Sequence, residues 1–451
     1  MTNDMTKGPI LKTLIFFTIP LVLGNLLQLT YNTIDSIIVG QYVGKEALAA
    51  VGTANPIMTL ILLFTNGICL GAGILVSFYY GAKRYDTLKK QVSTGMIFGS
   101  IFTLCMSGII CLFARQFLGL LQVEKAILDL CAQYLRIVMI SMIFSYIYNY
   151  LASILRALGD SRSPLYFLAI SSILNIFGDL LFVVKFQMGV NGAAYSTACC
   201  EAISALCCWF YMTKKVKALN LGRHWFDFDW HLLGKTLSYG IVSALQQSSI
   251  QIGKLVTQGM VNTLGVNATA AFNATNRADD FAILPEQNIA HGMTSIMAQN
   301  IGAAKDERAR QTFLDGIGVS IVYGIVVGGL LYFGAEGIMR LFTNDTDVIV
   351  EGMKYLHIIA YIYTLPGITN ALQGYFRGIG DLKITLWSTI MNMSGRCVSC
   401  YILMFHFHFG FEAIPWSYLI GWILMILFEV PFIFFGKKNY FQTNKIKTIK
   451  T

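Results

Sequence analysis

The sequence predicts an all-α polytopic membrane protein: twelve transmembrane helices in two pseudo-symmetric lobes of six. Three observations carry that reading. The 451 residues are 55% hydrophobic and 13% charged, with a mean hydropathy of +0.60, whereas soluble domains hold about 25% charged residues. Apolar runs of at least the ~20 residues that a bilayer requires recur along the whole chain. The chain also repeats itself at a constant offset of 221 residues, the distance from Gly81 to Gly302. At that offset Gly44 returns as Gly265, Gly81-Ala82 as Gly302-Ala303, and Gly189 as Gly410. Arg156, Gly159 and Asp160 likewise return as Arg377, Gly380 and Asp381.

In order, the spans are expected at 12–40, 52–80, 92–114, 127–157, 164–184 and 191–213, then at 234–262, 268–300, 313–335, 348–376, 384–408 and 413–436. The two lobes are thus 1–213 and 234–451, the second ending in a short basic tail. Residues 214–233 (KKVKALNLGRHWFDFDWHLL) form a basic, aromatic connector suited to a membrane interface. Several runs exceed the minimum length, which implies tilt or extension beyond the hydrocarbon. Pro20, Pro285, Pro366 and Pro431 fall inside spans and predict kinks or local breaks, because proline removes a donor and clashes with the preceding turn.

Charge sets the orientation. Most of the 33 Lys and Arg residues fall at the two termini and in the loops after even-numbered spans, among them Lys83, Arg84, Lys89, Lys90, Arg156, Arg162, Lys214, Lys215, Arg377 and Lys383. The opposite side holds only Lys45, Arg115, Lys125, Lys185 and Arg340. Positive charge stays inside, so both termini are expected in the cytoplasm. No cleavable signal is evident, since the first apolar run is too long and no small-residue cleavage site follows it. Six spans return the chain to its starting side, so the lobes are parallel repeats. Such repeats place a central site between them, reached by rocking, which is transporter architecture.

The chemistry-bearing stretch is the first span. Asp35 lies well inside an apolar run, and a carboxylate at that depth costs at least about 2.5 kcal/mol, so it normally faces a cavity or a partner. Gln28, Tyr31, Asn32 and Asp35 share one helical face by their spacing of three and four. In the fifth span Asn175 and Asp179 are i and i+4, again on one face. The competing reading places Asp35 in the headgroup region and makes Asp179 a cap for contacts between packed helices.

The run from Ile19 to Ala49, with its Ile-Pro, Asp35, Gly40, Gly44 and Ala-Leu-Ala, resembles the opening of the multidrug and toxic compound extrusion (MATE) family. RALGDSR at 156–162 and FRGIGDLK at 376–383 resemble that family's paired cytoplasmic loops, and MAQNIGAAKDERAR at 297–310 its eighth-span ending. Within the family the chain is similar to the bacterial DinF-like branch. The resemblance implies two lobes around a V-shaped cleft, and export of organic cations or other xenobiotics driven by inward Na⁺ or H⁺. It also implies one acidic site from Asp35, Asn175, Asp179 and Thr197, with Asp35 and Asp179 as Na⁺ ligands. Hard oxygens suit Na⁺, and two carboxyls in one low-dielectric pocket suit a retained proton equally well. The coupling ion stays open, and no other cofactor is expected.

Weaker expectations follow. Cleft contact with drug is assigned to Gln28, Tyr31, Asn149, Gln247, Gln251 and Lys254. Movement is assigned to Pro20 and Gly24 in the first span and to the loop positions Arg156, Gly159, Arg377 and Gly380. The acidic site is not duplicated: the offset carries positions 35, 175 and 179 to Val256, Arg396 and Cys400. In the eighth span Arg277 and Asp280, at i and i+3, are expected to form an internal salt bridge. The partners expected are small-molecule drugs and membrane lipids, with the chain monomeric.

Other classes fit less well. The basic residues sit in short loops, with no long basic tract for a nucleic acid. The ten cysteines lie almost wholly in apolar spans, where thiols act as small hydrophobes. Cys397 and Cys400 lack a second ligand pair, and no phosphate-binding loop for ATP is present. A flippase for lipid-linked oligosaccharides is the alternative within the same superfamily. It calls for a cleft rich in Arg and Lys, and the first lobe is poor in both.

Overall fold

In a computed structural model the chain is described over residues 4–219 and 222–435, and it is all helical there. The basic tail from Lys437 to Lys450, and Asn220 and Leu221 of the connector, lie outside the described residues. The helices are α1 (Ile10–Tyr42), α2 (Lys45–Gly81), α3 (Tyr85–Leu112), α4 (Ala114–Leu120), α5 (Lys125–Ala157), α6 (Arg162–Asp179) and α7 (Gly189–Lys215). They continue as α8 (Trp230–Asn262), α9 (Val266–Gly302), α10 (Asp306–Arg340), α11 (Thr346–Ile362), α12 (Thr364–Gly378), α13 (Leu382–Tyr401) and α14 (Ala413–Phe435). All twelve expected spans fall on these helices.

The 221-residue repeat extends to backbone detail. Left-handed residues recur in register: Gly44 with Gly265 (φ 109° and 97°), Lys83 with Ala304 (56° and 55°), Gly159 with Gly380 (83° and 75°), and Gly189 with Gly410 (61° and 60°). Each marks a helix end, where the chain must leave the ladder of one span and enter the next. A π-helical turn follows both α6 (Leu180–Lys185) and α13 (Ile402–His406).

The halves differ at two places. The α10 helix is continuous where α3 and α4 are separated at Phe113. The α5 helix is continuous where α11 and α12 meet at a 52° bend. Pro366 accounts for the bend, since the carbonyl four residues before a proline loses its donor and meets the ring. That residue is Ile362, the last of α11. Pro20, Pro285 and Pro431, by contrast, lie within unbroken helices.

Among the described residues eight helices, or nine spans with the bent pair, are long and apolar enough to cross a membrane on composition alone. The three expected spans that fall short are α8, α9 and α13, and the shortfall is polarity rather than length. Lys254 and several Gln in α8, and Asn273, Asn276, Arg277, Asp279, Asp280 and Glu286 in α9, lower the mean. The surface is apolar as a lipid-facing surface must be, with Leu112, Leu120, Leu330 and Phe333 mostly exposed.

Packing divides the chain into two compact units. One holds Ile19–Ala244. The other holds Met5–Thr18 together with the chain from Leu245 onward. In the first, the connector is part of the core: Trp225 stacks on Trp209 at 4.2 Å and accepts from Ser93 Oγ at 2.8 Å through its carbonyl. Tyr146 and Tyr150 of α5 donate to the carbonyls of Gly95 and Val92 on α3, at 2.7 and 2.9 Å. Gly95 and Gly99 permit this approach, because a Cβ on either would collide with the tyrosine rings. In the second unit the N-terminal stretch is tied to α9 and α10. Met5 N donates to Gln299 Oε1 at 3.2 Å, and Lys305 Nζ donates to the Thr6 carbonyl at 2.7 Å.

Candidate functional site

The first unit gathers the predicted acidic residues from three helices. Asp35 lies in the later half of α1, Asn175 and Asp179 in the last turns of α6, and Thr197 early in α7. Asp179 is fully buried and Asn175 is 2% exposed. Asp35 and Asp179 are close enough for their carboxyl groups to interact directly. Asn175 Nδ2 donates to Ser196 Oγ and to Thr197 Oγ1, both at 3.3 Å, and Ser196 Oγ donates back to the Asn175 carbonyl at 3.0 Å. These bonds fix α6 against α7 and hold the amide so that its oxygen is left over.

The leftover groups are all oxygens. Asp35 Oδ1, Asn175 Oδ1 and both carboxylate oxygens of Asp179 are buried, with no hydrogen-bond donor among the described residues. Buried oxygens without donors are costly, and carboxylates most of all. Four such oxygens around two acids form a donor set for a small hard cation or a proton. Tyr134 of α5, 6% exposed, stands beside both acids and beside Glu201.

Glu201 is a member that sequence reading missed. It lies one helical turn after Thr197 on α7, next to Tyr31 and Ser145, with Oε2 buried and without a donor. The spacing Thr197–Glu201, i and i+4 on a face already carrying a predicted ligand, was the available signal.

A second group of predicted residues meets beside a cavity in the same unit. Pro20, Gly24 and Gln28 of α1 line it with Asn149 and Arg156 of α5. Leu165 and Leu168 of α6 pack at 3.7–3.8 Å from where a Gly24 Cβ would lie. Gly159 takes the left-handed turn after α5, and Asp160 beside it accepts from Ser163 N (3.0 Å), Ser163 Oγ (2.7 Å) and Tyr211 Oη (2.8 Å).

The second unit treats its residues differently. Gln247, Gln251 and Lys254 share an exposed face of α8. Asp280 pairs with Lys254 at 3.4 Å, not with Arg277, and both partners are more than half exposed. The expected internal Arg277–Asp280 salt bridge is therefore replaced by a pair between helices, because the two acids of α9 side by side attract a cation from α8. The neighbour of Gln247, Gln246, is the buried one: its Nε2 donates to Gln373 Oε1 and to Thr389 Oγ1, the latter at 3.1 Å. Arg377 lies in the last turn of α12, 8% exposed, donating to Gln373 Oε1 at 2.9 Å and interacting with buried Glu429. Ser388 Oγ donates to Glu429 at 2.6 Å. Gly380, after α12, is left-handed.

Long helices with an apolar exterior, an internal repeat and a buried acidic pocket define a multi-span membrane protein built to move something across the bilayer. The MatE family model matches residues 20–181 and 243–402, most of the chain. The chain belongs to the MatE family, whose members are transporters and not enzymes. It is 28% identical over 411 residues to the probable multidrug resistance protein YpnP of Bacillus subtilis, covering 91% of this chain and 90% of the relative. It is 23% identical over 446 residues to the multidrug export protein MepA of Staphylococcus haemolyticus, covering 98% and 97%. Among solved structures it is similar to a MATE crystallised in a bent conformation (TM-score 0.89, 22% identity, 94% and 95% covered) and to one in a straight conformation (0.88, 22%, 95% and 96%). These likenesses show the fold.

Proposed function

We propose that the chain is a multidrug efflux transporter of the bacterial cytoplasmic membrane, with both termini inside, exporting organic cations and other xenobiotics in exchange for Na⁺ or H⁺. The observation that carries this reading is the set of four donor-less buried oxygens on Asp35, Asn175 and Asp179. The relatives support the substrate class, being named for multidrug resistance and multidrug export. The pocket of Asp35, Asn175 and Asp179 in the first unit supports assignment to the DinF-like branch.

In the mechanism, an ion arriving from outside is bound by Asp35 and Asp179, with Asn175 Oδ1 and Thr197 completing the oxygen set. Cancelling the repulsion between the two carboxylates lets α1 draw closer to α6. The helix yields near Pro20, where the backbone ladder lacks a bond, and at Gly24, which packs on Leu165 and Leu168. Pro20, Gly24, Gln28, Asn149 and Arg156 share one cavity, so this movement changes the space available to a bound drug. Drug and ion then bind alternately. The chain acts as a monomer surrounded by lipid.

The test is ethidium efflux from membrane vesicles under separately imposed Na⁺ and proton gradients. Efflux driven by one of the two gradients, lost in Asp35→Asn and in Asp179→Asn, is expected. Undiminished gradient-driven efflux in both variants would remove the coupling assignment.

A further inference from the structure

The second unit contains a buried acid that the exchange mechanism does not use. Glu286 of α9 is fully buried, and both its carboxylate oxygens lack a hydrogen-bond donor among the described residues. The groups that face it are Asp279 from its own helix, Tyr323 from α10 and Tyr363 at the junction of α11 and α12. Lys254 of α8 and Arg396 of α13 act on Asp279, as does Asp280 beside it. Tyr363 Oη donates to Asp279 Oδ1 at 3.2 Å, and Tyr323 Oη is taken up by the Ala282 carbonyl at 2.8 Å. Glu286 thus meets a second acid and two phenols. Bare charge in such a place is not tolerated without a neutralising partner.

The position matters as much as the group. Tyr363 is the residue at which the span bends by 52°. One turn on, the α12 backbone passes against the Glu286 carboxyl: a Cβ added at Gly367 would lie 3.1 Å from Glu286 Oε1 and 2.9 Å from the Ser320 carbonyl oxygen.

The repeat provides an internal comparison. At the 221-residue offset Glu286 corresponds to Thr65, Asp279 to Met58 and Tyr363 to Met142. Thr65 satisfies its hydroxyl on its own helix, donating to the Ile61 carbonyl at 3.0 Å, and α5 runs unbroken through Met142. Pro366, which breaks the ladder at the bend, corresponds to Ser145, so proline, acids and bend occur together in one half and are missing from the other.

We propose that Glu286, with Asp279, is a proton-binding site of the second unit, and that its occupancy adjusts the bend that Pro366 makes between α11 and α12. The ligand is a proton taken from water, converting the Glu286 carboxylate to the neutral acid. Half-buried Asp279, next to the exposed Lys254–Asp280 pair, is the group through which it arrives. Close packing of the α12 backbone on the carboxyl favours the smallest cation over Na⁺ with its larger oxygen shell. Loss of the proton places a charge directly against that backbone and favours an altered bend. The site is separate from the pocket of Asp35 and Asp179 and does not depend on its role.

The experiment is infrared difference spectroscopy of the full-length protein in lipid, titrated with pH, in the Asp35→Asn/Asp179→Asn background that silences the other pocket. A band from a protonated carboxyl that titrates in this background and disappears in Glu286→Gln is expected. Gln matches the neutral acid in shape, so the fold is preserved. Bands unchanged by Glu286→Gln overturn the site, and displacement of the band by NaCl at fixed pH overturns its assignment to a proton. Deuterium exchange over residues 346–378 tests the link to the bend: wild type and Glu286→Gln should match at acid pH and diverge at alkaline pH. Identical exchange at both overturns that link.

Discussion

Asp35 of α1 and Asp179 at the end of α6 bring two carboxyl groups into direct interaction inside an apolar bundle. Two like charges 4 Å apart repel by roughly 4 kcal/mol at an effective dielectric constant of 20. Among the described residues only Ser196 stands near enough to ease the charge on Asp179, so the pair is unfavourable when both are charged and calls for a cation between them. Asp35→Asn or Asp179→Asn relieves the repulsion while removing the driving site. Each variant should melt in detergent no lower than wild type and should lose gradient-driven efflux. A large fall in melting temperature would instead assign these residues to stability.

Asn175 is the brace of the pocket rather than a carrier of charge. Its amide nitrogen holds Ser196 and Thr197, while its oxygen remains for the ion. Asn175→Ala should cost about 1–3 kcal/mol of stability, the range for unsatisfying a buried polar partner. It should also weaken ion dependence of efflux by about tenfold, equivalent to roughly 1.4 kcal/mol. Thr197→Val should weaken the ion dependence with a smaller effect on melting, because Ser196 still receives the amide.

Arg377 and Glu429 are buried opposite charges of the second unit that interact at longer range, Arg377 bonding to Gln373 and Glu429 to Ser388. Removing one partner of a buried pair typically costs about 3–5 kcal/mol, since the other is left uncompensated. Arg377→Met alone should therefore destabilise strongly, and Glu429→Gln added to it should recover much of the loss. A double-mutant cycle by thermal melting in detergent reads this directly. Additive losses would mean that the two do not act as a pair.

Gly99 on α3 tests the packing of the first unit. A side chain there meets the ring of Tyr146, whose hydroxyl is committed to the Gly95 carbonyl. Gly99→Val should destabilise by about 1–3 kcal/mol, the usual cost of overpacking. Gly108, further along the same helix with open space at its Cβ position, should accept Ala with little change.

How much of this was legible in the sequence varies by element, and the reasons are physical. Helix α2 and helix α9 share the same length and the same relation to Gly44 and Gly265, because glycine punctuation and apolar length survive in the residues themselves. The break before Pro366 was legible from the proline itself, while Pro20, Pro285 and Pro431 lie inside helices that continue without a break. The pocket residues Asn175 and Asp179 announced themselves as polar groups in apolar runs. Glu201 was less legible, since its one signal is the i, i+4 spacing to Thr197, itself a residue that only the family resemblance singled out. Gln246 and Gln247 show the finer limit: a one-residue phase on α8 decides which is buried, and only packing against α12 and α13 sets that phase. Asp280 chose Lys254 over Arg277 because helix spacing constrains neighbours within a helix and says nothing about the helix beside it.

The most direct measurement is ethidium binding to the purified, lipid-reconstituted protein as Na⁺ and pH are varied separately, alongside the Asp35→Asn/Asp179→Asn double variant. The account predicts that one of the two ions weakens ethidium binding to the wild type, and that the double variant binds ethidium with no dependence on that ion. Equal ion dependence in the two proteins would contradict it.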